Sequence, residues 1–218
     1  MSFTTERLNQ IRSQVPVDLL DLILNSRFSS NQTDHRQLIR DDILQNFRTQ
    51  LNSEEISSIQ NLDSFPKTEK MFFSISHNQD LGGYSMARLK HGFDLELKSR
   101  ISTAIVQRVS TENEVSIAPD LKFIWCAKEA AFKALSAFVT TVSDFEVVNW
   151  QSQNETGLWT YRITSKKTLV QTHNIGFVFQ DSSSELILLV LNEIGIGEWL
   201  QNMESGWITS VIQGLIHI

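Results

Sequence analysis

The chain contains few cysteines, which cross-link small proteins, and few prolines and glycines, which end helices and strands. Among 218 residues there are one cysteine, three prolines and nine glycines. The single cysteine, Cys126, excludes an intrachain disulfide and a zinc site built on several cysteines, and it fits a reducing compartment. The low proline and glycine content predicts few long loops. Ordinary globular composition, with 41% hydrophobic and 20% charged residues, excludes a disordered or fibrous chain.

Long hydrophobic runs are also missing. The most apolar stretches, residues 186–191 and 207–218, are far shorter than the ~20 residues that a helix needs to cross a bilayer. The first residues, MSFTTERLNQIR, have no apolar run after their charges, unlike a secretion signal. We therefore expect a cytoplasmic protein that does not engage a membrane.

Basic residues are absent from the last part of the chain. Residues 168–218 contain no Lys or Arg and five acids, whereas residues 1–167 hold all 19 bases and 20 acids. The net charge of −6 is thus the sum of a nearly neutral body and an acidic tail. Because nucleic-acid binding needs a surplus of Lys and Arg to neutralise phosphates, we expect no nucleic-acid partner.

The spacing of apolar residues predicts a mixed α and β protein. The first third reads as helical, with a helix over residues 34–51 that Thr33 or Asp34 caps and that carries Arg36 and Arg40 on one face. The remaining elements are strands at 71–77, 83–90 and 92–98, helices at 103–110 and 119–138, strands at 145–150, 158–164, 175–180 and 185–191, and an amphipathic helix at the C-terminus.

A helix-then-sheet order occurs once in each half of the chain. This order predicts an α+β fold with an N-terminal half over residues 1–102 and a C-terminal half over residues 103–218.

The segment HGFDLELK (91–98) carries the first candidate site. In a strand, Asp94, Glu96 and Lys98 face one way and the apolar residues face the other. Two carboxylates about 7 Å apart along a strand suit Mg²⁺, which binds oxygen ligands and usually shares them with substrate phosphates. A solvated strand face with alternating charge is the plainer alternative.

The helix LKFIWCAKEAAFKAL (121–135) carries the second candidate site. Its apolar stripe is Ile124, Ala127, Ala131, Leu135 and Phe138. Glu129 and Lys133 lie on the other side, four residues apart, either as a surface ion pair or as a third metal carboxylate with a lysine beside it. Trp125 lies on the same polar side. A large aromatic residue there suggests that this face of the helix is in contact with other groups and is not fully solvated.

The third candidate is SISHN (74–78). A strand ending in Ser76 and His77 could offer a hydroxyl and an imidazole to a phosphate, although a strand-end turn with polar residues is the plainer interpretation of this segment alone.

These three segments, in this order, resemble the 4′-phosphopantetheinyl transferase family, in its larger, two-halved Sfp-type branch. The matching stretches are FFSISHNQD (72–80), HGFDLE (91–96) and FIWCAKEAAFKAL (123–135). DHRQLIRDDIL also looks like the family's His-Arg helix, and RVSTENE (108–114) resembles a segment between the main motifs. The resemblance covers roughly residues 34–147 and implies two similar α+β halves related by a pseudo-twofold axis, with coenzyme A between them.

The resemblance also implies a reaction. Such enzymes transfer the 4′-phosphopantetheine arm of coenzyme A to a serine of an acyl or peptidyl carrier protein and release adenosine 3′,5′-bisphosphate. By resemblance, Asp94, Glu96 and Glu129 hold Mg²⁺, Glu129 is the general base, and Lys133 stabilises or protonates the leaving phosphate. We expect a monomeric enzyme that serves fatty-acid, polyketide or nonribosomal peptide synthesis.

Coenzyme A contacts are implied at further positions. Ser76, His77, Lys128 and Lys133 would meet its phosphates, and Arg36 its 3′-phosphate. Arg27, Lys67 and Lys70 are looser candidates for the same basic surroundings.

Two other functions remain open. Family members usually carry glycines shortly after the Lys-Glu-Ala helix, and SAFVTTVSDF (136–145) has none, so the chain could instead be a module that binds coenzyme A or a carrier protein without turnover. The order Asp94, Glu96, Lys98 also fits the carboxylate and Glu-x-Lys arrangement of restriction-type nucleases, although the acidic charge balance opposes it.

Overall fold

The computed structural model describes residues 19–69, 71–88, 90–135, 141–152, 158–166, 174–180 and 186–193. Their strands are β1 (Leu19–Asn25), β2 (Phe72–His77), β3 (Gly82–Ala87), β4 (His91–Leu97), β5 (Phe145–Ser152), β6 (Leu158–Ser165), β7 (Asn174–Gln180) and β8 (Leu186–Glu193). Their helices are α1 (His35–Phe47), α2 (Ser53–Gln60), α3 (Thr103–Val109), α4 (Glu112–Ile117) and α5 (Leu121–Leu135). The protein is therefore of the α+β class.

The strands form two antiparallel sheets. One has three strands in the order β1-β3-β2, and the other has five in the order β4-β8-β7-β6-β5. Each sheet buries one set of its side chains against helices, because an antiparallel sheet needs a covered apolar face.

Helix α5 covers the five-stranded sheet. Ile124, Ala127, Ala131 and Leu135, the predicted apolar stripe, are buried there together with Phe145, Val147 and Ile163 of the sheet. Phe138 lies outside the described residues. Trp125 packs, partly buried, against the same core. Its contact is thus with the protein's own interior.

Helices α1 and α2 cover the three-stranded sheet. Ile39 and Ile43 of α1 pack with Ile59 of α2 against Phe73 and Tyr84. Of the apolar residues that recur through residues 34–51, Ile43 and Phe47 are buried, whereas Leu38 and Leu51 are partly buried and pack against this core.

The two sheets meet where β2 runs beside β4. The backbone N–H of Phe93 donates to Ser74 Oγ at 2.8 Å, and that of Leu95 donates to Ser76 Oγ at 3.1 Å. These bonds satisfy backbone groups of β4 with serine hydroxyls instead of a second strand. Because β4 itself pairs with β8, it belongs to the five-stranded sheet, whereas β2 and β3 belong to the three-stranded sheet.

Several boundaries differ from the sequence prediction. The first third is not wholly helical, since residues 19–25 form β1, which pairs with β3. Pairing across the sheet outweighs the helical preference of a leucine-rich run. Helix α1 ends at Phe47, before a short 3-10 turn, and Asp34 occupies its N-cap without a capping hydrogen bond.

The other predicted strands and helices are present with small shifts. The strand predicted at 83–90 ends at Ala87, and residues 112–117 form α4, which the apolar pattern did not indicate. The C-terminal helix and Lys70 fall outside the described residues. None of the helices in the described ranges is both long enough and apolar enough to cross a membrane.

Candidate functional site

Asp94 is held at the junction of the two sheets. It lies in β4 and is only 7% exposed. Its Oδ1 accepts hydrogen bonds from Lys133 Nζ at 2.8 Å and from Ser76 Oγ at 3.1 Å. A carboxylate this buried needs charged or hydrogen-bonding partners, and the neighbouring strand and helix each supply one.

Lys133 reaches Asp94 from the last turn of α5. Besides Asp94, its ammonium donates to Ser76 Oγ at 3.0 Å and to the carbonyl oxygen of Phe93 at 3.1 Å. All three ammonium hydrogens therefore have acceptors. Gly92 allows this approach, because a Cβ there would lie 1.8 Å from the carbonyl oxygen of Ala130 in α5.

The expected Glu129–Lys133 surface pair is not formed. Lys133 turns to Asp94, and Glu129 has no hydrogen bond or ion pair within the described part of the chain. An exposed i,i+4 pair contributes only about 0.2–0.5 kcal/mol, less than a partly buried charge pair with three bonds.

Glu129 is half-buried near two other carboxylates. Burial, together with the negative charges of Asp94 and Glu96, raises its pKa to about 7, and Lys133 opposes this change. The three residues Asp94, Glu96 and Glu129, which we call the carboxylate cluster, therefore contain more negative charge than Lys133 balances.

Glu96 lies at an irregularity of β4. The register with β8 shifts between Asp94 and Glu96. One Glu96 oxygen accepts the backbone N–H of Leu97 at 2.8 Å and lies 3.7 Å from Arg100. Burial raises the pKa of Glu96, as does Asp94, whereas the Leu97 N–H and Arg100 lower it.

The chemistry of the carboxylate cluster suits a hard divalent cation. It offers only oxygen donors, and the charges of Asp94 and Glu96 add to the burial that raises the pKa of Glu129. Within the described ranges, no three acidic, imidazole or thiol side chains, these three carboxylates included, already lie in an arrangement that could hold a metal ion.

The Asp94, Glu96, Lys98 arrangement of a nuclease is not assembled. Lys98 begins a 3-10 turn after β4, and its ammonium pairs with Asp120 at 2.8 Å. The lysine is thus directed to another carboxylate.

His77 lies on the other side of β2 from Ser76, since neighbouring residues of a strand alternate. Its ring meets His35 edge to face, with centroids 4.3 Å apart. Burial, together with the positive charges of His35, Lys133 and Arg36, lowers the pKa of His77 to about 4, and Asp94 opposes this change. The imidazole is therefore neutral at pH 7 and can offer a hydrogen bond, not a charge.

A cavity of about 270 Å³ opens beside His77. Arg36 and Arg40 of α1 line it together with Ile75, His77 and residues 62–66, and we call it the arginine cavity. Leu62 and Phe65 are large apolar side chains that remain partly exposed at its wall. The cavity thus combines guanidinium groups with an apolar surface, a combination that suits an anionic ligand with a ring system.

Other predicted cofactor residues lie elsewhere. Lys67 is exposed just after the wall of the arginine cavity, and its backbone N–H donates to Ser58 Oγ. Arg27 pairs with Asp42 and lines a separate surface pocket. Both are outside the residues that form the arginine cavity.

Lys128 is also not brought to the site. It is fully buried, with Nζ 2.8 Å from Glu114 Oε1 and 2.6 Å from the carbonyl oxygen of Val109. Burial lowers its pKa, and Glu114 opposes that change. Lys128 ties α5 to α4, which places it out of reach of a ligand.

Sequence reasoning missed the partner of Lys128 and the wall of the arginine cavity. Thr111 and Glu114 form a capping box, in which each side chain bonds the other's backbone N–H. The T-x-x-E pattern could have indicated the start of α4 and an inward-facing Glu114. Residues 62–66 have no periodic pattern that could have revealed the wall.

No protein-family profile matches the chain, and no curated protein matches it.

Proposed function

We propose that the protein transfers the 4′-phosphopantetheine arm of coenzyme A to a serine of an acyl or peptidyl carrier protein, with Mg²⁺, in the cytoplasm. The proposal includes the two-halved fold with a pseudo-twofold axis that the sequence resemblance implies. Its main support is that the carboxylate cluster and the arginine cavity lie on the two faces of one strand end, at Ser76 and His77.

This placement suits the shape of coenzyme A. The molecule has a pyrophosphate next to a nucleotide that carries a separate 3′-phosphate. Arg36 is exposed and has no hydrogen bond or ion pair within the described residues, so it is free to bind that phosphate. The apolar side chains of Leu62 and Phe65 offer a surface for the nucleotide ring.

The carboxylate cluster would hold the metal through Asp94, Glu96 and Glu129. Mg²⁺ bound there would neutralise charge on the pyrophosphate and polarise its oxygens. Ser76 fixes Asp94 by donating to its Oδ1, and the neutral His77 can donate to a phosphate oxygen.

Glu129 has the properties of a general base. In the metal-free protein its pKa is about 7, near the working pH, and a cation bound beside it would favour the ionised form that accepts a proton. The carrier serine Oγ would bond to the phosphorus that bears pantetheine, and its proton would pass to Glu129. The bond from that phosphorus to the bridging oxygen would break, and the electron pair would leave with adenosine 3′,5′-bisphosphate. Lys133 would stabilise or protonate that leaving phosphate.

The test is release of adenosine 3′,5′-bisphosphate, measured by chromatography, from coenzyme A, Mg²⁺ and apo carrier proteins of several pathways. We expect release that depends on the carrier serine and is lost in Glu129→Gln, with Glu54→Gln as the control on an exposed glutamate. Full activity of Glu129→Gln, or no release with any carrier, would contradict the proposal.

A second candidate is a module that binds coenzyme A without turnover. The contact that favours it is Lys133 on Asp94, since an ammonium already occupies an oxygen that the metal needs. Calorimetry separates the two functions: a non-catalytic module binds coenzyme A with the same affinity with and without Mg²⁺ and transfers nothing.

A further inference from the structure

Arg40 is a buried arginine that binds only backbone. Its side chain comes from α1, and the residue is 6% exposed. Nη1 donates to the carbonyl oxygens of Ile59 at 2.7 Å and Ser58 at 3.4 Å, and Nη2 donates to that of Ser64 at 2.6 Å. One planar guanidinium therefore joins α1 to two separate pieces of chain.

Those two pieces are the end of α2 and the wall of the arginine cavity. Ser58 and Ile59 belong to the last turn of α2, whose carbonyls lack partners within the helix. Ser64 lies in the middle of residues 62–66, which form the wall. The forked guanidinium fixes the wall relative to α2, which a single hydrogen bond would not do.

The charge of Arg40 has no acidic partner among the described residues. Its neighbour Arg36, one helical turn before it, adds a second positive charge to the same cavity. Burial and the charge of Arg36 both lower the pKa of Arg40. The carbonyl oxygens of Ser58, Ile59 and Ser64, and not a carboxylate, therefore compensate the burial of this charge.

The two arginines differ in what they can offer a ligand. Arg36 is exposed, with its donors unused by the described residues, whereas Arg40 already donates from Nη1 to the end of α2 and from Nη2 to the wall. Arg36 can therefore bind a phosphate directly, and Arg40 can act through the shape of the wall.

We propose that Arg40 is a positioning residue for the coenzyme: its guanidinium fixes residues 62–66 as the wall against which the nucleotide end of the ligand rests. This inference rests on the proposed function, because it takes coenzyme A as the ligand of the arginine cavity.

The first test needs no ligand. Amide hydrogen exchange is measured for Asp63 and Lys67, whose N–H groups bond to Asn61 Oδ1 and Ser58 Oγ. In Arg40→Gln we expect exchange about ten-fold faster at both amides, because one charged hydrogen bond corresponds to about that factor. Arg36→Gln is the matched control and leaves exchange unchanged.

The second test is kinetic. In Arg40→Gln we expect KM for coenzyme A to rise about ten-fold while kcat stays within about two-fold, since the wall affects binding and not the reacting atoms. A residue needed only for stability would lower the amount of folded protein without this split. Arg40→Lys keeps the charge but not the planar fork, so we expect it to behave like Arg40→Gln.

The outcomes separate the two proposals. If the wild-type protein does not bind coenzyme A in calorimetry, the proposed function fails, while the exchange experiment still tests the contact of Arg40 with the wall. If Arg40→Gln does not fold, Arg40→Lys decides. Unchanged exchange and unchanged KM in a folded Arg40→Lys variant would overturn the positioning role, because charge alone would then suffice.

Discussion

Glu129 gives the sharpest prediction about the site, because its pKa is raised from 4.5 to about 7. The folded state holds this proton more tightly than the unfolded state does. Between pH 4.5 and 7 the folded state therefore binds more protons, and this residue's contribution to stability falls as the pH rises. The change of roughly 2.5 pKa units corresponds to a loss of up to about 3 kcal/mol at pH 8.

The perturbation that exposes this loss is Glu129→Gln, which keeps the shape and removes the charge. Urea unfolding of both proteins is measured from pH 4.5 to 8.5 in metal-free buffer, and the difference in unfolding free energy is plotted against pH. We expect Glu129→Gln to gain up to about 3 kcal/mol relative to wild type across this range. Taking the difference cancels the other titrating groups, and Glu54→Gln controls for the loss of one carboxylate.

The cause of the shift is tested with Asp94→Asn. Removing that negative neighbour lowers the pKa of Glu129, which carboxyl NMR titration measures directly. A difference between wild type and Glu129→Gln that stays flat with pH would refute the reasoning. So would a Glu129 titration near 4.5.

Three further predictions concern the charges around the site. Lys133→Met leaves Asp94 buried without its cation, so we expect the unfolding free energy at pH 7 to drop by about 2 kcal/mol; an unchanged value in urea unfolding would contradict the pairing. Lys128→Met leaves the charge of Glu114 buried without its cation, and we expect the unfolding free energy to fall by about 3–5 kcal/mol. Adding Glu114→Gln to this variant should restore part of that loss. Equal stability of the single and double variants would contradict the pairing. The His77 imidazole should titrate near pH 4 in NMR, so its contribution to stability is lost as the pH falls from 6.5 towards 4; a midpoint above about 6 would show that the ring is not held neutral.

Local pattern was enough to predict the elements that bear the site. The alternation in HGFDLEL and the apolar stripe of α5 follow directly from the two-residue and 3.6-residue periods. The strand that ends in His77 was predicted from its aromatic and β-branched residues.

The ion-pair partners of the two lysines could not be predicted from the two-residue and 3.6-residue periods. The four-residue spacing predicted an ion pair between Glu129 and Lys133. In the fold, however, β4 places Asp94 2.8 Å from the Lys133 ammonium. Lys128 neighbours Glu129 in the chain, yet its direction around the helix leads it to Glu114. These contacts depend on which strand lies beside α5, and that information is not local.

The measurement that most directly tests the account is the intact mass of an apo carrier protein after incubation with coenzyme A, Mg²⁺ and this protein. The account predicts a gain of one phosphopantetheine, located on the carrier's serine, with wild type and Glu54→Gln. It predicts no gain with Glu129→Gln or with a carrier whose serine is replaced by alanine. An unmodified carrier from every pathway tried, with a folded wild-type protein that binds coenzyme A, would contradict it.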